Sequence, residues 1–232
     1  MPVGCGPIDI PGQEMASTRA SSVYDRLHKD ILTGELKPGE RLRLKELIDT
    51  YQTGNSPLRE ALNRLSSNGL VVREENRGFS VPDVSLGELD ELVRTRCWLE
   101  EIALRESIKH GDQAWEEHLV LAFHWLKQAY DKRKDGQFDD ERWAEYHNGF
   151  HVALLSACGS SLLLDFCDQL QARTYRYRNL AEVMEYRHQH EQAEHTAIYN
   201  ATLERDADKA VELLKQHFWA TFEVLRDSGR FE

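Results

Sequence analysis

The stretch TGNSPLREALNRLSSNGLVVREENRGFSV, residues Thr53–Val81, predicts a short amphipathic helix followed by a hairpin of two strands. The apolar stripe of this helix consists of Leu58, Leu62 and Leu65, at helical spacing. Ser56 is placed to cap the helix with Pro57 at its first position, and Gly69 ends the pattern. Valine-rich runs on both sides of a polar turn that contains Gly78 are typical of two paired strands.

Two further short helical patterns precede this stretch. Residues Ser21–Leu32 place apolar side chains on one stripe that ends at Gly34, and Leu44–Tyr51 forms a second pattern after the turn signal Pro38-Gly39. Three helices and a hairpin in this order are typical of a winged helix-turn-helix, a DNA-binding fold. The third helix also carries polar side chains that can meet base edges and phosphates, namely Asn55, Ser56, Arg59, Asn63 and Arg64. A small structural core with a solvated face would fit the same pattern.

The rest of the chain, from Asp83 onwards, predicts an all-helical antiparallel bundle of about six helices. Its amphipathic windows cover residues 85–110, 112–134, 139–158, 160–179, 182–204 and 206–228. We therefore expect a mainly α protein with a flexible arm at residues 1–19, a winged helix-turn-helix at 20–82 and a helical domain at 83–232.

Charge is distributed unevenly between these parts. Residues 1–82 contain 11 Lys+Arg and 11 Asp+Glu, whereas residues 83–232 contain 18 and 29 and so carry the whole net charge of -11. A neutral first part can present a locally basic DNA-binding face, because salt screens charges beyond about 10 Å. No apolar run reaches the length of a membrane span, and residues 1–19 lack the features of a signal peptide, so we expect a cytoplasmic protein. The four cysteines, Cys5, Cys97, Cys158 and Cys167, follow no disulfide or metal spacing and are expected to be reduced.

Four histidines occupy positions that can converge. His147 and His151 lie one helical turn apart, and His195 and His217 fall on consecutive helices whose antiparallel return would bring them to similar height. Four imidazoles suit zinc, nickel or a similar divalent ion. Buried histidines that satisfy one another without a metal are the alternative. No Gly-rich phosphate loop, nucleophile elbow or HExxH motif occurs, which argues against an enzyme.

The run LHKDILTGELKPGERL, together with the start SPLREAL and the segment GLVVREENRGFSV, resembles the DNA-binding domain of the GntR family of bacterial transcription regulators. This chain has Asn55 where members usually have arginine, and Leu44 and Lys45 replace an acidic residue and an arginine in the second helix. The resemblance implies binding to double-stranded operator DNA. The positions that it assigns to DNA contact are Lys45, Asn55, Ser56, Arg59, Arg77 and Gly78.

The segments HNGFH, EH and QH are similar to the metal site in the effector domain, of the FCD type, of the FadR subfamily. This similarity implies that His147, His151, His195 and His217 hold a divalent metal, although the family usually has Asp or Asn at position 147. The segment LVRTRCWLEEIAL resembles the R-x-x-LE segment of the subfamily, which would direct Arg96 into a cavity beside the metal. Arg173 would then be a second clamp on a small organic acid.

The resemblance implies a homodimeric regulator, expected to be a repressor, whose helical domain binds metal and effector and forms the dimer. The pattern is closest to the CsiR-type regulators, which implies a dicarboxylate such as glutarate. Two alternatives stay open at this point. One is a metal-dependent enzyme that uses the four-histidine site with Glu194 as its acid or base, and the other is a metal sensor without an organic ligand.

Overall fold

The computed structural model describes residues 19–231 except residues 75–76, 135–139 and 182–183. Within this part of the chain nine helices and three short strands occur, so the mainly α class is confirmed. The helices are α1 (Arg19–Thr33), α2 (Leu44–Tyr51), α3 (Asn55–Ser67), α4 (Leu86–His110), α5 (Gln113–Lys134), α6 (Asp140–Leu155), α7 (Ser161–Ala181), α8 (Met184–Leu203) and α9 (Ala207–Asp227). The strands are β1 (Arg41–Leu42), β2 (Val72–Glu74) and β3 (Gly78–Ser80). The predicted arm lies outside the described residues except for Arg19, which begins α1.

The helices α1 to α3 enclose a small apolar core. Side chains from α1 and α3 that are fully buried in it are Leu27, Ile31, Leu58, Leu62 and Leu65. Each of these contributes about 1.5–3 kcal/mol relative to an exposed side chain, which is the energetic reason that the amphipathic pattern forms this unit. The predicted leucine stripe of α3 therefore faces inward as a whole, and its polar face remains outside.

A three-stranded antiparallel sheet completes this unit, with the strand order β1-β3-β2. The predicted hairpin corresponds to β2 and β3, but β1 lies in a segment that was expected to form only a turn. Leu42 pairs with Phe79 across β1 and β3, and both side chains are buried. Gly39, at a φ of 73°, turns the chain so that its N–H donates to the Val81 carbonyl at 3.1 Å.

The start of α3 differs from the sequence prediction by two residues. The helix begins at Asn55, with Gly54 as its N-cap, and the Leu58 N–H donates to the Gly54 carbonyl at 3.2 Å. Ser56 therefore lies inside the first turn and does not cap the helix. Pro57 is tolerated at the third helical position, because the first N–H groups of a helix have no partner within the helix.

The helices α4 to α9 form a second core, and all six predicted windows coincide with helices. The helix α4 packs against α6, α7 and α9, while α5 pairs with α6 and α8 pairs with α9. Its largest fully buried side chains are Trp143, Phe150 and Tyr177. The cysteines at 97, 158 and 167 are free and buried, as expected for reduced thiols.

The two cores meet where α1 packs against α7. The Asn179 side-chain amide of α7 donates to the Leu32 carbonyl of α1 at 2.7 Å. Arg176, also on α7, donates to the Pro82 carbonyl in the segment that joins the two units. Among the described helices, none has the length and apolar character that crossing a membrane would require.

Candidate DNA-binding face and metal centre

All six residues predicted to contact DNA are exposed. Lys45 lies on α2, Asn55, Ser56 and Arg59 lie on α3, and Arg77 and Gly78 lie at the start of the strand β3. The Arg59 Nε donates to the Asn55 Oδ1 at 2.9 Å, which aligns both side chains along the first turns of α3. Gly78 has a φ of 93°, a left-handed conformation that favours glycine at the tip of the wing.

Two further arginines support this face and were not predicted in that role. The Arg41 guanidinium of β1 donates twice to the Arg77 carbonyl, at 3.2 and 2.7 Å, and so ties β1 to the wing. The Arg64 guanidinium stacks over the Tyr24 ring at 4.1 Å, which joins the end of α3 to α1. The sequence marked Arg64 as a polar residue of the third helix, and Arg41 follows the turn signal at Pro38-Gly39 by two residues.

The four predicted histidines converge in the interior of the bundle. His147 and His151 come from α6, His195 from α8 and His217 from α9, and all four are buried. One nitrogen from each ring can be chosen so that all four atoms lie within 4.8 Å of one another. The Nε2 atoms of His151 and His195 are 3.2 Å apart. Two nitrogens that share an ion at about 2.0–2.1 Å lie about 3.0–3.4 Å apart, so this spacing fits a common ion.

Neighbouring polar groups orient two of the imidazoles. The His217 Nδ1 is 2.7 Å from the Glu194 Oε2. Since a carboxylate accepts hydrogen bonds, this Nδ1 carries the proton, and the lone pair of the ring lies on Nε2. The Tyr130 hydroxyl lies 3.0 Å from the His195 Nδ1 and leaves the Nε2 of that ring for the cluster. Among the described residues, the buried His151 Nδ1 has no hydrogen-bond partner.

The interior position keeps two of the imidazoles neutral. Burial lowers the pKa of His147 well below its usual value, and the nearby Arg178, His195 and His217 lower it further while Glu191 opposes the shift. Burial and then His147 lower the pKa of His151 well below its usual value in the same way. Neutral imidazoles have a free lone pair at neutral pH, so these donors are ready to bind a cation and the cluster could hold a metal ion.

Buried ion pairs surround the cluster, and the sequence did not reveal the first of them. The Arg178 guanidinium of α7 donates to the Glu191 Oε1 of α8 at 2.8 Å, and its Nη1 lies 3.4 Å from the His147 Nε2. Arg178 also stacks over the Trp143 ring at 5.1 Å. The available signal was helical spacing, because Gln171, Thr174 and Arg178 lie on one face of α7.

Arg96, which the resemblance assigns to the effector cavity, is buried beside the cluster. Its Nε donates to the Glu100 Oε1 at 2.7 Å, and its guanidinium lies 4.0 Å from the centre of the Phe218 ring. Burial raises the pKa of Glu100, while Arg96 acts in the opposite direction. The buried Glu100 Oε2 has no hydrogen-bond partner among the described residues. Arg96 lines the wall of a cavity.

This cavity has a volume of about 240 Å³ and opens from the histidine cluster towards the first unit. Its base is formed by buried, basic or imidazole side chains, namely Arg96, His147, His151, Arg178 and His217. Its mouth is formed by less buried residues of three helices, namely His28, Leu32, Asn148 and Asp168. The base of the cavity therefore offers guanidinium and imidazole groups to a small anion.

Arg173 lies elsewhere. Its Nη2 donates to the Glu88 Oε1 at 2.6 Å, and its side chain lines a different groove, beside Gly69 and Phe166. The residues that line the histidine cavity do not include it. The arginine of α7 that faces this cavity is Arg178, one turn further along the helix.

Comparison with known proteins agrees with this architecture. The profile of the bacterial regulatory proteins of the gntR family matches residues 19–81, and the profile of the FCD domain matches residues 91–220. Among solved structures, the McbR/YncC protein of E. coli superposes with a TM-score of 0.76 at 23% identity, covering 92% of this chain and 99% of that one. A GntR regulator from Rhodococcus gives a TM-score of 0.72 at 20% identity, covering 92% of this chain and 99% of that one.

Similar sequences are regulators over most of their length. The HTH-type transcriptional regulator BphR of Paraburkholderia xenovorans is 35% identical over 210 residues, which cover 90% of this chain and 85% of BphR. The HTH-type transcriptional repressor GlaR of Escherichia coli is 30% identical over 213 residues, which cover 88% of this chain and 94% of GlaR. The chain therefore belongs to the GntR family of bacterial regulatory proteins with an FCD domain, and is a DNA-binding transcriptional regulator rather than an enzyme.

Proposed function

We propose that this regulator is a homodimeric repressor whose helical domain, residues 83–232, holds a divalent metal and a small carboxylate effector. The observation that carries the proposal is a cluster of four histidines, three of which line one cavity together with two arginines. Repression is supported by the similarity to GlaR, which is named a transcriptional repressor. The winged helix-turn-helix at residues 20–82 reads the operator through α3 and the wing.

Operator contact is assigned to Lys45, Asn55, Ser56, Arg59 and the wing residues Arg77 and Gly78. Exposed side chains at the start of a recognition helix are positioned to meet base edges, while a wing reaches the neighbouring backbone. Because Arg59 is held by Asn55, part of its donor set is already oriented before it meets DNA.

We expect Arg59→Ala to weaken operator binding by about 1–3 kcal/mol if Arg59 meets a base edge, or to reduce the salt slope by about one if it meets phosphate. Fluorescence anisotropy at several salt concentrations, with the DNA upstream of the chain's own gene, measures both quantities. Arg226→Ala is the matched control, since Arg226 is an exposed arginine near the end of α9. Unchanged affinity and salt slope in Arg59→Ala would mean that α3 is not the recognition helix.

The dimer follows from the reach of a single recognition helix. One such helix contacts few base pairs, so a regulator of this class needs two heads about one DNA turn apart. Light scattering on a sizing column should give the mass of two chains, about twice 26.9 kDa, with and without operator DNA. A monomer under both conditions would contradict the dimer.

The metal is assigned to His147, His151, His195 and His217, with zinc or nickel favoured by four imidazole donors. A bound ion would supply a fixed positive charge at the base of the cavity. Glu194 and Tyr130 hold two of the rings in the required orientation, and FCD domains commonly bind a metal. The neutral state of His147 and His151 favours this role.

We expect His217→Ala to abolish metal binding and Glu194→Gln to weaken it by about 10–100-fold, because the Glu194 carboxylate orients His217. Metal analysis of protein purified without chelator or nickel column, together with melting curves, measures both effects. Glu212→Gln is the matched control, since Glu212 is exposed on α9. If the wild-type protein melts at the same temperature with and without a strong chelator, the histidines have a purely structural role. Operator binding that responds to metal alone would instead support a metal sensor.

The effector is assigned to the cavity beside the histidines. Guanidinium groups form strong, charge-assisted hydrogen bonds with carboxylates, and Arg96 and Arg178 both line the base. A dicarboxylate such as glutarate is the first compound to test. Arg173, predicted as a second clamp, has its guanidinium on Glu88 and is replaced in this proposal by Arg178.

We expect Arg96→Lys to weaken the binding of carboxylates by about tenfold, since lysine keeps the charge but loses the planar pair of donors. Calorimetry on metal-loaded protein with C4 to C6 dicarboxylates and hydroxy acids provides the affinities. Arg94→Lys, on the exposed side of the same helix, is the control and should bind acids normally. Heat from neutral sugars but none from acids would refute the charge argument.

A further inference from the structure

A helix of the DNA-binding unit forms part of the wall of the effector cavity. His28 and Leu32, which lie one turn apart on α1, line its mouth. The neighbouring residues Leu27 and Ile31 point into the core of the first unit and are fully buried. One face of α1 therefore packs in the core of its own unit, and another face lines the cavity.

Contacts on both sides hold this wall in place. The Asn179 amide of α7 donates to the Leu32 carbonyl, and the imidazole of His28 stacks on the Tyr24 ring with centroids 5.7 Å apart. Burial lowers the pKa of His28, while Asp168 and Asp25 oppose this shift. A neutral imidazole can both donate and accept a hydrogen bond, so His28 can receive a polar group that arrives from the cavity.

The base and the mouth of the cavity belong to different units. The basic groups at its base, Arg96, Arg178 and the histidines, all lie on helices of the bundle. A small acid that fills only the base would make the same contacts wherever the DNA-binding head lies. Within the described part of the chain, only His28 and Leu32 extend the lining of this cavity to the head.

A ligand shifts an equilibrium only by the difference in its interaction with the two states. An acid that reaches α1 makes contacts that depend on where the head lies, whereas a shorter acid does not. The length of the acid can therefore separate binding to the cavity from the change in the affinity for operator DNA.

We propose that His28 and Leu32 of α1 are specificity-determining residues, which let only an acid long enough to reach the mouth of the cavity change the affinity for DNA. The inference rests on the proposed carboxylate site and adds α1 as the structural element that contacts the bound acid from the DNA-binding unit. Asp168 is an exposed residue that also lines this cavity, so its charge would weaken, without preventing, the binding of an acid whose second carboxylate reaches the mouth.

The test uses the metal-loaded full-length protein and the unbranched dicarboxylates malonate, succinate, glutarate and adipate. Calorimetry gives the affinity for each acid, and anisotropy gives operator affinity with each acid at saturation. We expect all four acids to bind and only the longer ones to change operator affinity, by about fivefold or more. Equal changes with malonate and adipate would overturn the proposal.

Variants of α1 test whether His28 and Leu32 cause the change in operator affinity. His28→Ala and Leu32→Ala should bind malonate as the wild type does and lose the change in operator affinity caused by the long acids. His28→Gln, which keeps a side-chain donor, should retain part of that change. Ser22→Ala, an exposed substitution on the same helix, is the control and should behave as the wild type. Melting curves show whether each variant is folded, and a full change in folded His28→Ala and Leu32→Ala would overturn the proposal.

A third measurement tests, without DNA, whether the longer acid extends to the mouth of the cavity. Asp168→Asn removes a negative charge at the mouth, so it should tighten adipate several-fold at low salt and leave malonate unchanged. Equal effects on both acids would contradict the assigned geometry. If none of the acids binds to any variant, calorimetry alone shows that the carboxylate site itself is wrong, and both proposals fail.

Discussion

The burial of four imidazoles at one point is the constraint on which the helical domain depends. A buried polar group costs free energy unless it is satisfied, so α6, α8 and α9 must meet in one register. Glu194 satisfies His217 and Tyr130 contacts His195, which leaves their Nε2 atoms directed at the centre. The depressed pKa values of His147 and His151 follow from the same burial. An apolar core would form more readily, so stability does not explain this arrangement, which supports the proposed cation site.

Two buried ion pairs lie beside the histidine cluster. Arg178 pairs with Glu191 and Arg96 pairs with Glu100, and all four side chains are buried. Buried ion pairs contribute little net stability, because desolvation offsets most of the attraction. Each arginine is balanced by its glutamate, so the pairs place guanidinium donors beside the cluster without adding net charge. In the proposed function, the positive charge that attracts a small anion would come from the bound metal.

The position of α1 links the two halves of the protein. Its leucines belong to the DNA-binding core, its carbonyl at Leu32 is held by Asn179, and His28 faces the cavity. The helix α1 is thus in contact with both the DNA-binding core and the helical domain that contains the cavity. If a bound effector changes the affinity for operator DNA, the operator must change the affinity for that effector by the same factor.

Periodicity and spacing in the sequence determined the order of the elements, the winged helix-turn-helix, the bundle of six helices and the placement of four histidines on helices that can meet. These features depend on residues a few positions apart, where the period of a helix dictates which side chains share a face. Only the tertiary structure placed β1 beside β3, put Arg178 and Glu191 next to the histidines, and directed Arg173 towards Glu88. Each of these depends on contacts between distant segments, which no local pattern records. The placement of His28 in the wall of the cavity is of the same kind, because it follows from how α1 packs on α7 and not from any signal around residue 28.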